Sequence, residues 1–189
     1  AWLESELDFA AHPELLAVFP FPHRLELAIR IGPAALSVTT DVIADRGSPV
    51  PLSFGFHPYL ALPGTVRERW QVALPARTEL ALDERRLPTG GARPRPAASF
   101  VLGERTFDDL FAVPDSPARF SVSGGGRRLT VELRSGFPYA QIFAPPEEPV
   151  ICFEPMTAPI DALRSGDGLR VVAPGATARA EFTLAVEDL

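Results

Sequence analysis

The sequence of 189 residues contains no lysine and no asparagine, a single cysteine and only three histidines. Without lysine the chain can form no side-chain Schiff base and has no lysine for a phosphate-binding loop. Without asparagine it has no acceptor for N-glycosylation. Cys152 alone can form neither an internal disulfide nor a cysteine cage for a metal. Since His12, His23 and His57 are widely spaced in the sequence, we expect no metal site.

The balance of charge and the length of the apolar runs limit the partners and the location. The 24 acidic residues exceed the 18 arginines and give a formal net charge of −6, which argues against a nucleic-acid surface. No apolar run approaches the ~18–20 residues of a membrane span, and no signal peptide opens the sequence. We therefore expect a cytoplasmic protein without nucleic-acid or membrane partners, and its oligomeric state stays open.

Apolar residues alternate with a period of two in several parts of the chain, which is typical of half-buried strands. The alternation is clearest in residues 25–31, 36–42, 129–133 and 180–186. The run Ser-Gly-Gly-Gly-Arg at residues 123–127 indicates a hairpin turn. Proline and glycine recur too often for long helices, so helical turns are expected only within residues 3–16 and 159–163. The sequence predicts one all-β domain over residues 1–189, an antiparallel β-sandwich.

Residues 85–99 are the strongest candidate for a long loop. They contain four arginines, three prolines and two glycines with almost no apolar anchor. A basic binding arm would have this composition, but so would a solvated surface loop. The acidic total charge favours the surface loop.

The first candidate for proton transfer is His57, which lies in a short segment of alternating aromatic residues. In an extended conformation Phe54 and Phe56 would face the core, while Gly55, His57 and Tyr59 would share the opposite face. The glycine leaves room for a ligand beside the backbone. The alternative is a structural histidine next to an aromatic cluster.

The second candidate is Glu154, a carboxylate in a strongly apolar run. Alternation places Ile151 and Phe153 on one face and Cys152 and Glu154 on the other. Burial would raise the pKa of Glu154, and a neighbouring cation would lower it. The alternative is a buried ion pair with an arginine. Cys152 is expected to act as a small apolar side chain rather than as a nucleophile.

Three further polar residues lie among aromatic and aliphatic neighbours. The paired carboxylates of Asp108 and Asp109 could accept hydrogen bonds from sugar hydroxyl groups, or Asp108 could cap a turn. Gln141 is a lone amide in an apolar strand and could donate to or accept from a hydroxyl group.

Taken in order, five segments resemble the aldose 1-epimerase (galactose mutarotase-like) family: residues 18–22, 54–64, 107–111, 139–143 and 152–163. This resemblance implies a large β-sandwich and a cofactor-free reaction that interconverts the α and β anomers of a free hexose such as glucose or galactose. Members usually have longer chains, with an N-terminal β region that carries a substrate-binding arginine and another histidine. The chain is therefore expected to correspond to the C-terminal two-thirds of a member and to lack that region.

The resemblance also implies a role for each candidate. Glu154 takes the proton of the anomeric hydroxyl group and His57 protonates the ring oxygen, with Glu154 ionised and His57 protonated at rest. Asp108, or the adjacent Asp109, holds sugar hydroxyl groups, and Gln141 contacts the substrate. Tyr59, on the same face as His57, is a further candidate for substrate binding. By analogy with the carboxylate pairs of glycosidases, we expect a separation of roughly 5–8 Å between the acid and the base.

Other functions remain open at this point. The fold could serve a non-catalytic carbohydrate-binding or regulatory domain, which would bind sugar without exchanging its anomers. A mutarotase acting on a hexose 6-phosphate would need arginines that converge on the site. A metal-dependent hydrolase is disfavoured because too few ligands are present.

Overall fold

A computed structural model describes residues 1–114 and 117–189. Within them the chain forms strands and short helical turns, which confirms the predicted all-β antiparallel fold. The strands are β1 (Trp2–Asp8), β2 (His23–Ile31), β3 (Ala35–Ala44), β4 (Val50–Leu52), β5 (Tyr59–Leu60), β6 (Gln71–Leu74), β7 (Arg77–Leu82), β8 (Pro88–Arg95), β9 (Ala98–Val101), β10 (Phe107–Ala112), β11 (Ala118–Gly124), β12 (Arg127–Ser135), β13 (Tyr139–Ala144), β14 (Ile151–Met156), β15 (Arg170–Val172) and β16 (Thr177–Asp188). The helices are α1 (Pro13–Leu16) and α2 (Ala162–Ser165), with 3₁₀ turns at Phe9–Ala11 and Arg67–Arg69.

Two large sheets contain most of the strands. The first has eight strands in the order β1-β2-β3-β16-β12-β11-β6-β9, and the second has six in the order β5-β14-β13-β10-β7-β8. A small third sheet pairs β15 with β4. The strands that carry the predicted site residues are neighbours in the six-stranded sheet, so this sheet is the platform for the site.

The main core lies between the two large sheets. Phe120 of β11 and Phe153 of β14 meet there with ring centroids 5.5 Å apart. Both rings are fully buried, and burial of side chains of this size stabilises the fold by about 1.5–3 kcal/mol each. Each sheet thus has one face in the core and one face toward solvent, which the two-residue periodicity predicts.

The hairpin predicted at residues 123–127 is confirmed. Strands β11 and β12 pair antiparallel, and the turn uses positive φ at Gly125 and Gly126. Such φ values are easily accessible only to glycine, so the glycine run selects this turn.

Two predictions about the remaining segments were wrong in part. Residues 3–8 belong to edge strand β1, so the helical turns of this region begin only at Phe9. The 3₁₀ turn at Arg67–Arg69 lies outside both ranges in which helical turns were expected. Residues 88–95 form strand β8 rather than a loop, and pair with β7 at the sheet edge. Strand β8 is exposed and needs no apolar face, and its prolines Pro88 and Pro94 are tolerated at an edge because one side of the strand is unpaired. Among the described residues, no helix has the length and apolar character needed to cross a membrane.

Candidate functional site

The outer face of the six-stranded sheet brings four predicted residues together. Gln141 on β13 lies directly opposite Glu154 on β14, and Tyr59 on β5 lies opposite Cys152. On the other side of β13, Asp108 of β10 lies opposite Phe143. Directly opposite residues of antiparallel strands share a face, and so do residues two apart along a strand. Tyr59, Glu154, Gln141 and Asp108 therefore project from the same face.

Three hydrogen bonds hold the segment that carries His57 against the end of β14 and the following residue, Thr157. The amide of Phe54 donates to Thr157 Oγ1 at 2.8 Å, and the amide of Thr157 donates back to the Phe54 carbonyl at 2.9 Å. The amide of Phe56 donates to the Pro155 carbonyl at 3.1 Å. At Gly55 a Cβ atom would lie 2.7 Å from the same carbonyl oxygen, so only glycine permits this approach.

This attachment places His57 above Glu154. The two atoms that face each other, His57 Nε2 and Glu154 Oε1, are 3.0 Å apart. The imidazole is stacked on Tyr59, with centroids 4.6 Å apart and planes at 19°, and meets the edge of Phe143 at 5.8 Å. The His57 side chain is 45% exposed and that of Glu154 is 12% exposed. The histidine can thus be reached from solvent, while the carboxylate lies at the bottom of the site.

The expected separation of 5–8 Å between acid and base is wrong. The glycosidase analogy compares two carboxylates, which repel each other when both are ionised. A histidine and a carboxylate have no such repulsion, so His57 and Glu154 can come into contact.

Burial, followed by the negative charge of Asp108, raises the pKa of Glu154 to about 7. Among the described residues no arginine pairs with Glu154, so the alternative of a buried arginine ion pair does not hold for them. A carboxyl group with a pKa near neutrality can take up and release a proton at the pH of a cell.

Asp108 and Gln141 form a second polar group beside this pair. Gln141 Nε2 donates to Asp108 Oδ1 at 2.7 Å, and Asp108 Oδ2 is paired with the guanidinium of Arg86. Sequence reasoning missed Arg86, which lies in the turn between β7 and β8 with a φ of 64°. Its position depends on that left-handed turn, for which a single arginine gives no signal in the sequence.

Two buried acceptor atoms of the site, Glu154 Oε1 and Gln141 Oε1, accept no hydrogen bond from the residues that the structure describes. His57 Nε2 is close to the carboxylate oxygen but is not aligned with it as a hydrogen bond. Buried acceptors are normally satisfied, so the hydroxyl groups of a ligand would have two acceptors to meet here.

Asp109 lies apart from this group. It is opposite Ile142, a fully buried residue of β13, and therefore faces the other side of the sheet from Asp108. Burial, followed by the charge of Glu79, raises the pKa of Asp109. The structure thus brings Asp108, but not Asp109, to Gln141.

Cys152 forms the floor of the site beneath His57. Its residue is fully buried, and burial, followed by the charges of Glu154 and Glu148, raises the pKa of the thiol to about 12. A thiol with such a pKa stays protonated at neutral pH, which agrees with the expectation that Cys152 is no nucleophile.

A cavity of about 760 Å³ is lined in part by Tyr139 of β13. Its lining also includes two arginines (Arg85, Arg164) and three aspartates (Asp83, Asp161, Asp167). His57 and Glu154 do not line it. The surplus of carboxylates makes this cavity unsuited to a phosphate group.

Comparison with protein families matches residues 4–185 to the family described as Aldose 1-epimerase. Among solved structures, a galactose mutarotase-like protein from Clostridium acetobutylicum is similar with a TM-score of 0.87 and 19% identity, over 100% of this chain and 63% of its own. The GalM/aldose epimerase homologue from C. elegans gives a TM-score of 0.76 and 13% identity, over 100% and 65% of the two chains. The galactose 1-epimerase from Lactobacillus acidophilus NCFM gives 0.70 and 17%, over 100% and 63%.

At these identities the solved structures establish the fold and nothing finer. The chain spans less than two-thirds of the length of these three proteins. A comparison with curated proteins finds no match.

Proposed function

Since the chain belongs to the aldose 1-epimerase family, we propose that it interconverts the α and β anomers of a free hexose such as glucose or galactose. The observation that carries the proposal is the 3.0 Å approach of His57 Nε2 to Glu154 Oε1, on a face that also holds Asp108 and Gln141. An acid and a base that both reach a hemiacetal are sufficient for this reaction, because each can act in both directions.

In the proposed mechanism the Glu154 carboxylate accepts the proton of the anomeric hydroxyl group while the His57 imidazolium donates its proton to the ring oxygen. The bond between C1 and the ring oxygen breaks, and an aldehyde and a hydroxyl group form. After rotation about the C1–C2 bond, His57 removes the proton from that hydroxyl group and Glu154 returns its proton to the carbonyl oxygen. Ring closure on the other face gives the other anomer, and both residues regain their starting charge.

The short distance between the two groups suits this chemistry. The two oxygens that exchange protons, the anomeric oxygen and the ring oxygen, are bound to the same carbon atom. Acid and base can therefore approach them from one side of the sugar, and the ring need not fit between His57 and Glu154. The exposed imidazole above a buried carboxylate leaves the pair open to a sugar that lies over it.

Binding is assigned to the polar group beside the pair. We propose that Asp108 and Gln141 hold ring hydroxyl groups, Asp108 as an acceptor and Gln141 through its unpaired Oε1 atom. Tyr59 is 59% exposed and stacked on His57, so it fixes the plane of the imidazole and offers an apolar surface to the sugar. Asp109 is not included, because it faces the other side of the sheet.

We propose a free hexose rather than a phosphorylated one as the substrate, because of the charges near the site. Arg86 is paired with Asp108, and the arginines of the adjacent cavity are outnumbered by aspartates. A phosphate group would need arginines that are free to converge on it.

The test is polarimetry on freshly dissolved α-D-glucose and α-D-galactose, with the chain and with its His57→Ala variant. The chain should speed the approach to the anomeric equilibrium, and the variant should be slower by about 10²–10⁴-fold, as is typical when a general acid is lost. Equal rates for the two proteins would refute the proposed mechanism.

Two further measurements separate the alternatives. Calorimetric binding of glucose without acceleration of mutarotation would identify a non-catalytic carbohydrate-binding domain. A higher rate with glucose 6-phosphate than with glucose would contradict the preference for a free hexose.

A further inference from the structure

Three different metal-binding side chains converge at the proposed acid–base pair. One ligand atom each of His57, Cys152 and Glu154 lies within 4.8 Å of the other two. Imidazole nitrogen, thiolate sulfur and carboxylate oxygen are the three donor types that proteins use for zinc. The spacing of cysteine and histidine in the sequence gave no sign of this group, because strand pairing brings distant segments together.

The arrangement follows from the fold. Cys152 and Glu154 are two residues apart on β14 and therefore share its outer face. His57 is carried over them by the segment bonded to Thr157 and Pro155. The Cys152 sulfur is the most deeply buried of the three donors, the Glu154 carboxylate is mostly buried and the His57 imidazole is the most exposed.

From this geometry we infer that His57, Cys152 and Glu154 bind a zinc-like divalent cation, and that the bound cation inhibits the enzyme. The inhibition rests on the proposed function, whereas the binding does not.

Little movement is needed to form the site. Tetrahedral donors at zinc bond lengths are separated by about 3.3–3.6 Å. His57 Nε2 and Glu154 Oε1 are already 3.0 Å apart, and the sulfur is within 4.8 Å of both. The half-exposed His57 ring is the part free to adjust, and its exposed side leaves the fourth coordination position to solvent.

Binding has a defined proton balance and a defined consequence. The cation displaces the thiol proton of Cys152 and the Nε2 proton of the His57 imidazolium, both protons are released to solvent, and metal–thiolate and metal–imidazole bonds form. His57 then uses Nε2 as a ligand and cannot carry a proton on that atom, and Glu154 uses a carboxylate oxygen that the reaction needs as a base. The cation and the sugar reaction therefore exclude each other.

The single cysteine makes the binding test unambiguous. Cobalt(II) is titrated into the metal-free chain, and the near-ultraviolet absorption of a cobalt–thiolate bond is recorded. Any such band must come from Cys152, because the chain has no other cysteine. We expect a band that saturates at one equivalent of cobalt and is displaced by zinc.

Variants define the other ligands. Cys152→Ala should abolish the band, and His57→Ala and Glu154→Gln should each weaken cobalt binding at least tenfold. His12→Ala is the matched control, since His12 and Glu14 form a second histidine–carboxylate contact at 3.1 Å on the surface, away from a cysteine. Circular dichroism of each variant establishes that it is folded. A missing band, or one that survives in both His57→Ala and Glu154→Gln with unchanged affinity, overturns the site.

Inhibition is measured separately by polarimetry with and without zinc, and each variant is compared with its own rate in the presence of chelator. The chain should lose mutarotation on addition of zinc and regain it with chelator, and Cys152→Ala should need at least tenfold more zinc. A cobalt–thiolate band in a chain without mutarotase activity would reject the proposed function and keep the metal site. Mutarotase activity without such a band would support the proposed function and reject the metal site.

Discussion

Three carboxylates with nearly the same exposure lie on the solvent faces of the two sheets, yet their surroundings differ. On the eight-stranded sheet, Asp41 and Glu132 are 12% and 14% exposed, and both are paired with arginines. On the six-stranded sheet, Glu154 is 12% exposed, and His57 is the one basic side chain paired with it among the residues that the structure describes. The first two are ordinary ion pairs, and burial raises the pKa of the third to about 7.

The three carboxylates also differ in the side chain with which each is paired. An arginine stays charged at any physiological pH. A histidine can lose its proton, so a carboxylate that faces only a histidine can exchange protons with its surroundings. This contrast sets Glu154 apart as the group suited to proton transfer.

The largest effect is expected when Glu154, the carboxylate paired with a histidine, is replaced by its amide and compared with the same change at Glu132, a carboxylate paired with arginines. We expect Glu154→Gln to lower kcat for mutarotation by about 10²–10⁴-fold, because the amide cannot accept the anomeric proton. Glu132→Gln, equally buried on the other sheet, should leave kcat unchanged. Polarimetry at one substrate concentration above saturation measures both, and similar losses in the two variants would remove the distinction.

The next effect concerns stability against pH. The pKa of Glu154 rises from its ordinary value of 4.5 to about 7 in the folded chain, so the folded state binds the proton more tightly. The contribution of Glu154 to the free energy of unfolding is fully present below pH 4.5. It falls by roughly 3 kcal/mol as the pH rises through 7. In urea unfolding at pH 4.5 and at pH 8, the chain should lose roughly 3 kcal/mol more of its free energy of unfolding than Glu154→Gln does, because the amide does not titrate.

A smaller effect should appear in the pH profile of activity. Since the base must be ionised, kcat/KM should fall as pH decreases below about 7. Asp108→Asn removes a charge that raises the pKa of Glu154, so the midpoint should move to lower pH. Arg86→Gln leaves the charge of Asp108 uncompensated, so the midpoint should move to higher pH.

Profiles measured in the presence of chelator would show the two opposite shifts, each of up to about one pH unit. If both midpoints stay where they are in the unchanged chain, Asp108 does not influence the base.

The smallest effect is expected at Asp41. Arg179 donates two hydrogen bonds to it, at 2.8 and 2.7 Å, across adjacent strands. Asp41→Asn weakens this pair and should lower the melting temperature by a few degrees, with no change in mutarotation. A loss of activity that exceeds the loss of folded protein would show that the two faces are coupled.

Much of the fold could be predicted from the two-residue periodicity, because this pattern is local and needs no knowledge of which distant segments pair. It gave the strands on both sides of the 123–127 turn and placed His57 and Glu154 on faces away from the core. Strand β8 was missed because an exposed edge strand carries no apolar alternation. Alternation could also have separated Asp108 from Asp109, once residues 107–111 are taken as a strand.

The contacts within the site were beyond the reach of the sequence. The distance between His57 and Glu154 depends on how two segments distant in sequence pair, and the position of Arg86 depends on a left-handed turn. The three donors around Cys152 meet for the same reason. Patterns along the chain report which face a side chain occupies, but not which distant segment covers it.

The reciprocal hydrogen bonds between Phe54 and Thr157, with the bond from Phe56 to Pro155, have a consequence for how the site comes apart. Releasing the segment of His57 breaks the same bonds that border the strand of Glu154. The segment of His57 and the end of β14 thus belong to one cooperative opening unit, and the bonded amides of Phe54, Phe56 and Thr157 should exchange with deuterium together. We therefore expect the two backbone segments that carry His57 and Glu154 to separate in one step and not gradually.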